Sequence, residues 1–395
     1  MGDLLADALS YGASPSARAA HPKGWEPGYE QSGNTATGSA VFPDGDDPDS
    51  LAIIAGFGLN PDDWAIVGNV NCRRWQTYDE RWLRYYKCDL VRRTPATDRA
   101  DVDALCKLAA SRKPRRPHQR SDMGWASFAA LNDWQIGKGE GGGTTRTVDF
   151  LLERLARLDD MWKRDKPSCI FLGNEGDLSE AVTGHYASQA FTVDLDQREQ
   201  DRVVRRLLFQ FVETAARRAP KVVVSGVACN HGENRGPAGK AQTRPSDNRS
   251  LTYVENVAEM CAMNPDAFGH VEFLYAPDTV LVCDIAGIST VHTHGHIFGS
   301  GQPMTSTVKW WTGQVMGLRP AAAATVLVTA HRHHAQVSEE LGRTVFMAPA
   351  CDGGSQWFTD ATGKSSPRGL LTFKIGAGIG DPLEGERCWD DLRIL

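Results

Sequence analysis

The sequence predicts an α/β fold, a four-layer αββα sandwich preceded by a small basic α+β module and a flexible N-terminal arm. Three observations predict it. Strand and helix patterns alternate through the middle of the chain and then give way to strands that follow strands. Polar, metal-capable residues recur just past the ends of those strands. The composition, 41% apolar and 23% charged over 395 residues, is that of globular protein.

Residues 1–50 are rich in Gly, Ala, Ser, Pro and Asp without sustained periodicity, and read as a flexible arm ending in the acidic turn Asp44–Asp49. Residues 51–95 read as a small basic α+β hairpin module. A short helix from Leu51 and a turn at Asn60–Asp63 lead to two aromatic-rich stretches, Cys72–Thr77 and Arg81–Cys88, which suit a hairpin with one packed face. Arg73, Arg74, Arg81, Arg84 and Lys87 make this module locally basic in a chain whose net charge is −6. Residues 96–121 combine a helical stretch over 101–110 with a linker, Ser111–Arg120, that holds two prolines and five basic residues.

The main domain is expected over residues 122–395. Strands are predicted at 125–131, 169–172 and 221–227, and helices at 145–164, 197–218 and 251–263. Further strands follow at 271–275, 279–284, 288–291, 325–330, 343–347 and 370–375. The pair Trp310-Trp311 belongs to a helix packed on the sandwich. The run Gly137-Lys-Gly-Glu-Gly-Gly-Gly-Thr144 resembles a phosphate loop at a glance, but its lysine precedes the glycines instead of closing them beside Ser or Thr. It reads as a plain flexible loop.

Several function classes are excluded. The longest mostly apolar stretch, Ala321–Ala330, is half the ~20 residues a membrane span requires. The start carries Asp3 and Asp7 and no basic segment, against a secretory signal. Nine cysteines are scattered and never spaced C-x-x-C, the pattern of reduced thiols, so a cytoplasmic location is expected. The net negative charge argues against nucleic-acid binding over the whole surface but leaves room for a local basic patch.

Six of the eleven histidines fall between His292 and His334. His292, His294 and His296 follow one predicted strand, and His331 and His333 another. Asp133 and Gln135 follow the first strand of the main domain, Asp177 the second, and Asn230-His231 the third. Carboxyl ends of strands are where α/β sheets assemble ligand sites. A two-metal hydrolase needs a bridging carboxylate with nitrogen and oxygen donors around each ion. Asp177 can bridge, Asp133 and His333 can complete one ion, and Asn230, His294 and His331 the other. His231, beside a ligand, is placed to donate a proton to a leaving oxygen.

The order Asp133-x-Gln135, Gly176-Asp177, Asn230-His231-Gly-Glu, His294-Gly-His296, His331-x-His333 resembles the five-block signature of the calcineurin-like metallophosphoesterases. Its texture is similar to a bacteriophage branch related to double-strand-break repair nucleases. The resemblance implies two divalent ions, Mn first, with Mg, Fe or Zn as alternatives, bound by Asp133, Gln135, Asp177, Asn230, His294, His331 and His333. His231 is the expected catalytic residue, and His296, Glu180, Glu233 and His185 lie behind the ligands or toward substrate. Gln135 stands where the family has histidine, a weaker amide donor that shifts preference from Zn toward Mn or Mg. The implied activity is phosphodiester hydrolysis, foremost as a DNA nuclease acting in the cytoplasm, that of the host if phage-encoded. Arg73, Arg74, Arg81, Arg84 and Lys87 would then contact nucleic-acid phosphates. The alternatives are a phosphatase or phosphodiesterase for a small nucleotide, and a nucleic-acid-binding or assembly protein with a weakened metal site. No membrane partner is expected, and a dimer is left open.

Overall fold

Side chains along a strand alternate between its two faces, and the strands of the main domain use both. In β6 (Cys169–Gly176), Ile170 and Leu172 enter one buried cluster and Phe171 another. In β7 (Lys221–Gly226), Val222 and Val224 are divided from Val223 in the same way. Such strands are apolar on both faces, as parallel strands covered on both sides must be.

The computed structural model describes residues 27–92, 104–113 and 124–395, apart from positions 33, 34, 46, 62, 78, 79, 105, 187, 188, 237, 238, 277, 341, 355–358 and 361–364. The chain divides into two units, residues 1–102 and 103–395. The first 26 residues of the expected arm lie outside the described residues, as do most of the predicted helix start and of the basic linker.

The first unit is a four-stranded antiparallel sheet in the order β1-β2-β4-β3, formed by Gly28–Ser32, Thr35–Pro43, Trp82–Arg92 and Trp64–Gln76 respectively. The reading of residues 1–50 as an arm is corrected here: positions 28–43 supply two strands. Their composition hid this, because small residues such as Ala36 and Ala40 face the core beneath the apolar side of a helix. That helix, α1 (Ser50–Gly56), begins where the Asp49 carboxylate accepts from the Ala52 N–H at 2.8 Å.

In the second unit, β5 (Ala126–Asn132), β6, β7 and β8 (Val271–Tyr275) run parallel. The antiparallel strands β14 (Leu371–Ile375) and β15 (Trp389–Ile394) extend them to a six-stranded sheet, β15-β14-β5-β6-β7-β8. One face buries Ala129, Leu131, Ile170 and Val224 against α2 (Gly143–Asp165), α3 (Gln197–Ala216) and α4 (Arg249–Ala262). The other face buries Phe128, Phe171 and Phe373 against Val326, Val328 and Phe346 of a second sheet.

The second sheet has the order β12-β13-β11-β10-β9. It comprises β9 (Leu281–Ile285), β10 (Ile288–Thr293), β11 (Val326–Thr329), β12 (Gln336–Glu340) and β13 (Arg343–Met347). Its outer face, Val291, Leu327 and Val345, packs on Trp311 of α5 (Pro303–Met316). Among the described residues, no helix is long and apolar enough to cross a membrane.

Between the two sheets lies a buried ion pair. His292 Nδ1 stands 2.7 Å from Glu175 Oε1, and both side chains are fully enclosed. Thr290 Oγ1 donates to the Cys283 carbonyl and so accepts from His292 Nε2 at 2.9 Å. Both ring nitrogens therefore donate, which makes the ring an imidazolium. Burial alone would lower this imidazole, but the Glu175 carboxylate and the Cys283 neighbour lift it to about 10. Phe128 and Phe171 stack on it at 5.8 and 5.4 Å.

His292→Ala strands the Glu175 charge in the core and is expected to cost about 3–5 kcal/mol, read from urea unfolding. The sign with pH is fixed by the raised folded value. The contribution is complete below the unfolded pKa of about 6.5 and disappears as pH rises through about 10. A wild-type-minus-variant difference that grows with pH across that window would rule the imidazolium out.

Candidate metal centre

The strands β5, β6 and β7 of one sheet and β10 and β11 of the other end around a single group of polar side chains. Backbone strain marks the place. Of eleven non-glycine residues with positive φ among the described residues, five are Asp133 (46°), Gln135 (44°), Asp177 (53°), His331 (67°) and His333 (56°). Such conformations cost of order 1–3 kcal/mol each and persist where the surroundings over-determine them. Gly176 precedes Asp177 at φ 99°, and a Cβ there would meet Cys229 Cβ at 2.5 Å and His294 Nδ1 at 2.8 Å. Only glycine lets the end of β6 pass between them.

Asp177 is 1% exposed. Its Oδ1 accepts from the His231 backbone N–H at 3.0 Å, and its Oδ2 lies 2.9 Å from His294 Nε2. The His294 Nδ1–H donates to the Glu175 carbonyl at 2.7 Å, which turns Nε2 toward Asp177 but outside hydrogen-bond alignment. His331 completes the group: one donor atom each from Asp177, His294 and His331 all lie within 4.8 Å of one another. This is the one such cluster of His, Cys, Asp and Glu among the described residues.

Electrostatics follow from that crowding. Burial opposes the Asp177 charge, yet His294 and His231 overcome it and hold the carboxyl well below its usual range. Burial would also lower His294, but Asp177 lifts it to about 9. His331 goes the other way, pushed down to about 3 by burial and by the charge on His294, and His296 to about 4 for the same two reasons. His331 thus presents a neutral lone pair at physiological pH.

A divalent ion fits these residues. Buried Asp133 Oδ1, Asn230 Oδ1 and His294 Nε2 have no hydrogen-bond partner, an expensive condition unless something else binds them. Mixed carboxylate, amide and imidazole donors suit Mn, Fe or Zn.

The other half of the expected site is arranged differently. His333 Nε2 lies 3.3 Å from Asp133 Oδ1, and Asp133 Oδ2 accepts from Asn132 Nδ2 and from the His331 backbone N–H. Burial opposes the Asp133 charge, but His333 prevails and keeps that carboxyl low. The Gln135 Oε1, expected to ligate, accepts from Lys138 Nζ at 2.8 Å, and the same ammonium pairs with Asp352. Asp352, 2% exposed, is absent from the sequence expectation. It follows β13 through a short loop that contains Pro349, where a lone carboxylate carries no motif.

His231 Nδ1–H donates to the Glu180 carbonyl at 2.5 Å, leaving Nε2 4.0 Å from Asp177 Oδ2. His185 stacks flat on it, with centroids 4.0 Å apart and planes at 5°. Glu180 is raised by burial and accepts from the Tyr186 hydroxyl. Glu233 holds Arg235 at 2.8 Å and lies 3.8 Å from His296. In the first unit, Arg74 and Arg84 are both paired with Asp44, and Arg84 also with Asp47. Two of the five cations expected to meet nucleic acid are therefore neutralised by the acidic turn. Arg73, Arg81 and Lys87 are exposed.

No family model matches the chain, and no curated protein matches it. Among solved structures, it is similar to an archaeal phosphodiesterase at 11% identity and TM-score 0.30, over 68% of this chain and 99% of that one. Vacuolar Protein Sorting 29 from Cryptosporidium parvum aligns at 12% identity and TM-score 0.29, over 64% and 86%. The wild-type Vps29 of Entamoeba histolytica, complexed with Zn, aligns at 11% and TM-score 0.27, over 68% and 98%. These likenesses are weak in both identity and superposition.

Asp177→Asn removes the charge that faces both His294 and His231. Calorimetric titration with Mn is expected to show affinity lower by about 100-fold or more, since even groups behind the ligands are worth 10–100-fold. Unchanged Mn affinity would remove Asp177 from the ligand set.

Proposed function

We propose that the chain is a divalent-metal-dependent phosphoesterase of the calcineurin-like type, an αββα sandwich that hydrolyses phosphodiester bonds in nucleic acid, DNA foremost. The observation that carries this reading is the convergence of Asp177, His294 and His331 beside an oriented His231. The succession of helices, sheet, sheet and helix in the buried clusters supports the layered part of it.

Asp177, Asn230, His294 and His331 would hold the ion, Mn first among the candidates. Bound there, it would polarise a phosphoryl oxygen and bring a water toward ionisation near neutral pH. The protein's own residues do the rest. Glu180 fixes the His231 ring through Nδ1, so that Nε2 is the atom turned to the reacting group. The flat His185 ring prevents the imidazole from tilting. Burial and the charge on His231 push His185 down to about 3, so this neighbour stays neutral and does not compete for the phosphate. In the protonated state, His231 Nε2 donates to the leaving oxygen. Arg73 and Lys87 of the first unit, both exposed, are the cations that favour a polyanionic substrate over a small nucleotide.

The test is hydrolysis by the Mn-loaded protein of linear duplex DNA, single strands, cyclic nucleotides and a chromogenic diester. DNA cleavage is expected to be fastest, and inertness toward every diester would sink the reading. His231→Ala is expected to lower kcat by about 10²–10⁴ with Mn affinity retained. Arg73→Ala with Lys87→Ala should flatten the log–log salt dependence of DNA binding by about 0.9 per lost contact. The small diester should be hydrolysed as before. A small cyclic nucleotide preferred over DNA, with no salt slope, selects the small-nucleotide alternative.

A further inference from the structure

Lys138 belongs to the glycine-rich run 137–144, which reads as a plain loop. In the structure that run is pinned on all sides. The Lys138 N–H donates to the Gln135 carbonyl at 3.0 Å, closing a tight turn. Gly139 donates to the Thr192 carbonyl at 2.8 Å, and Asp194 N–H to the Gly137 carbonyl at 2.9 Å. The Asp194 carboxylate takes both the Thr144 N–H, at 2.7 Å, and its hydroxyl, at 2.6 Å, where α2 begins. Gly137 sits at φ 104° against Gln200, where a Cβ would approach to 2.3 Å. The lysine side chain is thereby directed inward and is 11% exposed.

Its ammonium lands among Gln135 and Asp352, with the Asp133–His333 pair alongside. Asp133 and Asp352 are 0% and 2% exposed, and buried carboxylates require compensation. A neutral amide at position 135 cannot supply it. An ammonium can, and an amide oxygen is a better partner for it than an imidazole, whose ring nitrogen must be both deprotonated and aimed.

We propose that Lys138 is a built-in cation of this centre, occupying the half where a first ion would sit, so that the chain holds one exchangeable divalent ion, at Asp177, Asn230, His294 and His331. Gln135 then anchors Lys138 and is not a metal ligand. This inference rests on the metal-dependent reading above and changes its stoichiometry. The ammonium supplies fixed positive charge in place of the second ion.

The experiment counts bound Mn on full-length protein, after chelation and dialysis, by elemental analysis and by calorimetric titration with Mn alone. Wild type is expected to bind one tight equivalent. Lys138→Met combined with Gln135→His, which removes the ammonium and restores an imidazole, is expected to bind two. Lys138→Arg, which keeps the charge, is expected to stay at one and serves as the folded control by circular dichroism. Two tight equivalents on wild type would overturn the inference alone, as would one equivalent on a folded Lys138→Met, Gln135→His protein. None on wild type would overturn the metal-dependent reading and this inference with it.

Discussion

The buried Glu175–His292 pair is the interaction on which the rest of the centre depends. It joins β6 of one sheet to β10 of the other, in an otherwise apolar layer that includes Phe128, Phe171, Phe346 and Phe373. A buried ion pair adds little net stability over apolar packing, but it tolerates only one alignment. Here that alignment has a use. Glu175 pairs through its side chain with His292, while its backbone carbonyl accepts from His294, two residues on and just past the end of β10. One residue therefore sets the register between the sheets and aims the His294 ring. Asp177 follows two positions later, so the carboxylate and the imidazole that face each other are both held by the same short segment.

From that anchor the strain at the strand ends becomes intelligible. Asp133, Gln135, Asp177, His331 and His333 all leave their strands with φ between 44° and 67°. A residue that continued in extended geometry would alternate outward, away from its neighbours on the next strand. A left-handed residue turns the chain sharply and brings the side chain in over the strand end. Backbone hydrogen bonds retain the turns: Asp133 N–H to the Gly176 carbonyl and Gln135 N–H to the Asp177 carbonyl, both at 3.0 Å. Adjacent strands thus hold each other's strained exits. The cost is met by two packed sheets and a thick helical layer, and loops of the same sequence alone could not sustain it.

How much of this was legible in the sequence depends on whether the signal was local. Strand and helix positions in the main domain were readable because side chains on both faces of β5, β6, β7 and β11 are apolar, and α2 and α3 carry clear one-sided patterns. The gathering of Asp177, His294 and His331 was legible because each lies just past the end of a strand with an apolar pattern. The edge strand β12 was not, since Gln336–Glu340 is exposed and charged. The first two strands were missed because Gly, Ala, Ser and Thr dominate them, and small residues signal a loop when the helix that covers them lies outside the window. Lys138 was seen but misread. What orders its loop is Asp194, 50 residues downstream of Thr144, and no short-range pattern announces that bond. Asp352 and Glu175 failed for the same reason, since a carboxylate's role is decided by the partner it meets across the sandwich.

The two halves of the centre differ in how their charge is balanced. On the Asp177 side, His294 is lifted to about 9 by a carboxylate that accepts no aligned hydrogen bond from it, and the buried Asn230 Oδ1 has no hydrogen-bond partner. A mobile divalent ion can resolve both conditions at once by displacing the imidazolium proton and taking both donors. On the Asp133 side, His333 and Lys138 stand as charge partners of Asp133 and Asp352 and the amide is bonded to that ammonium, although Asp133 Oδ1 and Asp352 Oδ1 accept no aligned hydrogen bond. Exchangeable cations are drawn to the half that holds no fixed ammonium. The asymmetry comes from a single loop folded over the strand end.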